Sequence, residues 1–123
     1  MAFDIPSPFV WDPSFDVKND TINEQHKGLF SAITAVESDA SAANVGKLVE
    51  LVKAHFKTEE DLFAKYGYAD SVEHKKTHDD FLVTVGGLSS FGAPEVGFAK
   101  QWLVKHIKGS DMGYTDTLAG KSL

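Results

Sequence analysis

The chain has 123 residues, 42% apolar and 24% charged, with no cysteine and a net charge of −6 at pH 7. That length supports one domain burying roughly two-thirds of its unfolded surface. The acidic balance argues against nucleic acid and anionic membranes as partners, and the missing thiols exclude disulfides, thiolate zinc sites and cysteine nucleophiles. The N-terminal residues lack the basic and apolar regions of a secretion signal, and no apolar run approaches the roughly 20 residues that span a bilayer. A soluble, cytoplasmic protein is the expectation.

Residues 1–18 hold Pro6, Pro8 and Pro13, with Phe3, Phe9, Trp11 and Phe15 among them. The prolines exclude a regular helix, and the aromatics predict an extended arm packed onto the body. A first helix is expected from Asp20 or Thr21, where Thr21-Ile22-Asn23-Glu24 has capping-box form. Its apolar stripe reads Ile22, His26, Leu29, Ile33, Val36, so a histidine falls on a core position. A second helix is expected from about Ser41 to Lys65, ended by Tyr66-Gly67-Tyr68 with Gly67 just past its last turn. Its stripe is Val45, Leu48, Val52, His55, Glu59, Leu62, and it places a histidine and a carboxylate one turn apart in the core.

A third helix is expected from Asp70 to Gly86-Gly87, again with a capping-box form, Asp70-Ser71-Val72-Glu73. His74 and His78 lie four apart and share the line of Phe81 and Val85, whereas the i,i+4 pairs Lys75/Asp79 and Lys76/Asp80 suit a solvated face. After a loop over 89–94, a fourth helix is expected from Pro94 to Lys108, with Pro94 in its first turn and Gly109 ending it. Ala99, Trp102 and His106 form one line, flanked by Leu103 and Ile107. A polar tail follows from residue 115. No strand signal or repeat interrupts this pattern, so the expected architecture is an all-α, up-down-up-down four-helix bundle over about 19–114, carrying the arm and the tail.

Short connections put the start of helix one, the end of helix two, the start of helix three and the end of helix four together. At about 1.5 Å per residue, His26, His55, Glu59, His74, His78 and His106 all fall within ~14 Å of that end. Asp111 follows helix four closely enough to fold over the same level. A lone core histidine is usually just a hydrogen-bonded one. Five histidines and two carboxylates at one level are too crowded for a hydrogen-bonded polar core, and they point to metal. Mixed nitrogen and oxygen donors without thiolates favour a redox first-row metal over structural zinc. Seven donors are too many for one ion. Two octahedral ions offer twelve positions; five imidazoles, two bridging carboxylates and one bridging solvent oxygen leave a single position open.

These residues resemble the hemerythrins, a family of non-haem di-iron oxygen-binding proteins. The similar stretches are Pro8 to Asp12, His26 to Phe30, His55 to Glu60, His74 to Phe81, and Trp102 to Lys108 with Asp111 and Tyr114. The resemblance implies that His74, His78 and His106 hold one iron and that His26 and His55 hold the other. It implies bridging by Glu59, Asp111 and an oxo or hydroxo group. It further implies that dioxygen binds as a hydroperoxide on the two-histidine iron, in a pocket lined by Leu29, Phe56, Trp102, Leu103 and Ile107. The implied role is oxygen transport or storage rather than catalysis. The Gly86-Gly87-Leu88-Ser89 turn leans toward the monomeric, myohemerythrin-like branch, with a homo-oligomer as the alternative. Two departures stand out. Gln25 occupies a position usually acidic in the family, which makes Glu24 a candidate for the outer shell, and Met112-Gly113 replaces a bulkier pair after Asp111, an expected loosening of that aspartate.

Two other function classes compete. Oxygen-activating di-iron bundles are richer in carboxylates, with Glu-x-x-His pairs, which the ligand set here lacks. A peroxidase or oxidase also needs a general acid or base in the pocket, and none is evident. An iron-binding or homeostatic role would use the same ligands.

Overall fold

A computed structural model describes residues 4–87 and 92–123. Phe3, Leu88 and Ser89, which enter the arm and turn expectations above, lie outside the described residues. Four long helices carry the fold: α1 (Asp20–Ser38), α2 (Ala42–Tyr66), α3 (Ser71–Gly86) and α4 (Ala93–Lys105), with a short α5 (Thr115–Leu118) after them. No strand occurs among the described residues. Helix α1 packs against α2 and α4, and α2 packs against α3. This is the expected four-helix bundle, and every long helix begins and ends within a few residues of its predicted bounds, except at the end of α4.

The helix ends follow local chemistry, with corrections. Asn19, not Thr21, caps α1: its side-chain oxygen accepts from the Ile22 amide at 3.1 Å. Its amide nitrogen donates to the carbonyls of Leu118 and Lys121 at 3.0 and 2.9 Å. One asparagine therefore caps a helix and ties down the polar tail, whose Leu118 is fully buried. Gly67 ends α2 in the left-handed conformation (φ 69°), where a side chain is disfavoured. Asp70 precedes α3 but makes no side-chain cap. Before α4, the Glu95 carboxylate accepts from the Gly92 amide at 2.8 Å.

The arm packs as expected, with one local difference: Pro13–Phe15 form a 3-10 turn capped by Asp12. Phe9, Phe15 and Val17 are buried, and Phe9 and Phe15 both lie against the ring of Phe30. The predicted stripes of α1 and α2 face the core: Ile22, Leu29, Ile33 and Val36 on the first, Leu48, Val52 and Leu62 on the second. At roughly 25 cal/mol per Å² of buried apolar surface, these side chains stabilise the bundle and must also compensate for the polar groups buried at one end.

Helix α4 does not run to Lys108. His106–Ser110 form a π-helical turn, and Asp111–Tyr114 continue as a 3-10 turn. In an α-helix, residues five apart point about 140° away from each other. An i→i+5 turn brings them onto one side, so His106 and Asp111 face inward together. Such turns occur disproportionately at functional sites.

A candidate dinuclear metal centre

All five histidines, Glu59 and Asp111 are buried. They converge as two groups, Glu59/His74/His78/His106 and His26/His55/Glu59/Asp111, with the donor atoms of each group within 4.8 Å of one another. Glu59 belongs to both. Its Oε1 lies 3.0 Å from His78 Nε2, 3.4 Å from His55 Nε2 and 3.7 Å from His74 Nε2. Asp111 divides its oxygens between the halves. Oδ1 lies 2.9 Å from His74 Nε2 and 3.1 Å from His106 Nε2, and Oδ2 lies 3.0 Å from His26 Nε2.

The outer bonds of the imidazoles fix their tautomers. The Thr58 hydroxyl donates to the Ala54 carbonyl at 3.1 Å, so it can only accept from the Gln25 amide nitrogen at 3.0 Å. The Gln25 oxygen must then face His55 Nδ1, 2.8 Å away, which carries the proton. His78 Nδ1 donates in the same way to Glu60 Oε2 at 3.0 Å. Thr77 donates to the His74 carbonyl, leaving its oxygen to accept from His106 Nδ1 at a long 3.5 Å. In all three rings the proton sits outside and the Nε2 lone pair points inward, as a metal ligand requires. Stacking steadies two of them: His78 on Phe56 at 3.8 Å and His106 on Trp102 at 4.4 Å.

The inner atoms are short of partners: His26 Nε2 faces His55 Nε2 at 3.1 Å and His78 Nε2 faces His106 Nε2 at 3.2 Å. Glu59 Oε1, His74 Nε2 and both Asp111 oxygens are buried without a hydrogen bond. Several imidazoles crowd onto the same carboxylate oxygens rather than pairing off one to one. Buried polar atoms are seldom left so, and cations in the two groups would satisfy all four at once. The donor set therefore fits two metal ions.

Electrostatics agree. Burial and the Asp111 charge push Glu59 upward, but the surrounding imidazoles outweigh them and hold its carboxyl below the ordinary range. Burial likewise opposes ionisation of Asp111, and His106, His26 and His74 reverse it, leaving this carboxyl well below the usual value. Burial lowers His55 to about 4. Burial also disfavours charge on His74, yet Asp111 and Glu59 raise it to about 9.

These opposed histidines predict a pH profile for the metal-free protein. His74 binds its proton more tightly folded than unfolded, so its contribution is complete below about pH 6.5 and is lost as the pH rises through about 9. His55 resists protonation when folded, so it lowers stability as the pH falls from about 6.5 toward 4. Each arm is worth up to about 3 kcal/mol. Thermal unfolding with chelator present should peak near pH 6.5. Metal, which needs deprotonated ligands, should flatten the alkaline arm; an alkaline arm unchanged by metal would contradict this assignment of His74.

Several partners were not visible in the sequence pattern. Gln25 itself, rather than Glu24, reaches a ligand; Glu24 pairs with Lys27 at the surface, 2.9 Å away. Buried Tyr114 donates to Glu59 Oε2 at 2.5 Å, which fixes the shared carboxylate from behind; burial, together with the two carboxylates, raises its phenol well above the usual value. Asp111 is fully buried, and the Tyr68 hydroxyl comes within 3.0 Å of where a Gly113 Cβ would stand. Beside the metal groups lies an apolar void whose walls include Leu29, Phe56, Trp102 and Leu103. Ile107 is fully buried but is not on those walls.

Residues 17–118 match the family model of the hemerythrin HHE cation-binding domain. The chain is 54% identical to a hemerythrin-like protein of Naegleria gruberi over 119 residues, covering 96% of this chain and all of that one. It is 42% identical to a myohemerythrin of Riftia pachyptila, with the same coverages. A crystal structure of wild-type hemerythrin superposes with a TM-score of 0.83 at 26% identity, covering 90% of this chain and 98% of the other.

Proposed function

Because the chain belongs to the hemerythrin family, we propose that it binds dioxygen reversibly, as a carrier or store, at two iron ions held by the seven buried side chains. In this reading His74, His78 and His106 serve one iron and His26 and His55 the other. Glu59 and Asp111 would be shared by both, and an oxo or hydroxo group would complete the site. The irons, when bound, supply the electrons that hold dioxygen and recover them on its release, a role suited to a first-row metal on nitrogen and oxygen donors.

The observation that carries this reading is the sharing of Glu59 by two four-donor groups, among whose inner atoms Glu59 Oε1, His74 Nε2 and both Asp111 oxygens lack any other partner. The chain's own contributions follow from its geometry. Outward Nδ1 protons on His55, His78 and His106 hold the Nε2 lone pairs on the centre. Tyr114 holds Glu59 in place through Oε2, leaving Oε1 free. Leu29, Phe56, Trp102 and Leu103 present an apolar wall, which keeps water from a reactive site. The two-histidine half has one imidazole fewer than the other, so the position for a small ligand would fall there.

The test is optical. Ferrous protein prepared without oxygen should develop a charge-transfer band in air and lose it on degassing. Irreversible conversion, or turnover of added peroxide, would replace the carrier reading with an enzymatic or iron-handling one. Leu103→Ala should keep both irons but shorten the lifetime of the oxygenated form several-fold, because the apolar wall it helps to form is opened to water. An unchanged lifetime would remove Leu103 from the pocket.

A further inference from the structure

The two halves of the centre differ in what stands behind their imidazoles. His78 donates its Nδ1 proton to a carboxylate, Glu60, at 3.0 Å. His55 donates to a neutral amide, Gln25, at 2.8 Å. Buried His26 Nδ1 has no partner at all. A hydrogen bond to a carboxylate raises the donor strength of an imidazole more than one to an amide, and an absent bond gives nothing. The half with three imidazoles thus has an anionic outer partner, whereas the half with two has none.

The amide of Gln25 is also locked. Thr58 accepts from its nitrogen and cannot donate to its oxygen, because the hydroxyl proton is engaged at the Ala54 carbonyl. No rotation of Gln25 within this arrangement offers His55 a better acceptor. Glu24, the nearest carboxylate in sequence, is directed to the surface and held there by Lys27.

We infer that the two halves load with metal in order, and that Gln25 keeps the His26/His55 half the second and weaker to fill. The first ion takes Glu59, His74, His78 and His106, with Asp111 Oδ1 beside them. The second enters next to an ion already bound through the shared Glu59, and meets two imidazoles of lower donor strength. This inference rests on the dinuclear reading above and adds to it a chain that can hold one ion stably, and therefore two different ions in turn.

The experiment titrates the full-length, metal-free chain with cobalt(II) under anaerobic conditions, following visible absorption and heat. Wild type should bind two equivalents in two steps, the second at least tenfold weaker. His26→Ala marks the step belonging to its half. Gln25→Leu should weaken the second step about ten- to a hundredfold and leave the first unchanged. Gln25→Glu, nearly the same size and so least disturbing to the fold, should tighten the second step instead. Glu60→Gln should weaken the first step. A merely structural Gln25 would make both of its variants weaken binding, and that result overturns the inference, as does a wild type that fills both halves in equal steps. Failure of the wild type to take up two equivalents overturns the dinuclear reading itself, which separates the two failures.

Discussion

Glu59→Gln is expected to empty both halves of the centre, because Glu59 alone belongs to both donor groups. Its Oε1 approaches imidazoles of either half, and its Oε2 is held by Tyr114. Glutamine keeps the volume and can still receive the Tyr114 proton, but it removes the charge and leaves a poor bridging donor. Metal affinity should fall by at least about a hundredfold, the upper end seen for weaker, outer-partner changes. Elemental analysis should give less than one metal per chain where wild type saturates with two. Loss of a charge that the surrounding imidazoles favour is only partly offset by relief of the carboxylate's desolvation, so the metal-free protein should stay folded at a cost of about 1–3 kcal/mol. Loss of metal without loss of fold is the signature of a ligand. A Glu59→Gln protein that retains two metals would remove the shared carboxylate from the centre.

His106→Ala should act differently, on one half and on the fold as well. It removes one imidazole from the Glu59/His74/His78 group and leaves His26 and His55 untouched. One metal per chain should remain, in the two-histidine half. The fold should weaken by about 2–4 kcal/mol, the range for large-to-small core changes, because the ring of Trp102 loses its stacking partner at 4.4 Å. Free imidazole should fill the gap and restore the second metal. A variant that loses both metals, and does not recover with imidazole, would show that the halves do not bind independently.

Much of this was legible because the bundle obeys a single periodicity. The three-four stripes place His26, His55, Glu59, His74, His78 and His106 on buried lines, and short connections bring those lines to one end. Asp111 was harder. Placing it inward required the chain to fold back after Gly109, whereas the structure reaches it by a widened helical turn that stacks it beside His106. Nothing in local propensity marks that turn; an inward His and Asp five apart is its trace.

The outer partners were least legible. Gln25 and Glu60 each sit one residue off a buried stripe, where a helical pattern reads as boundary or surface. Their roles depend on cross-helix distances of 2.8 and 3.0 Å. The capping of α1 by Asn19 rather than Thr21 has a similar origin. Asn19 is selected by its second task, holding the carbonyls of Leu118 and Lys121, and that task lies 99 and 102 residues away in the chain.

On the proposed reading, seven buried side chains hold two irons that bind dioxygen and release it unchanged. Gas uptake tests it most directly. Ferrous protein loaded to two irons per chain should take up one dioxygen per chain, return it under vacuum, and repeat the cycle without forming free hydrogen peroxide. Uptake that is not returned, or that accumulates peroxide in solution, would rule out reversible oxygen carriage.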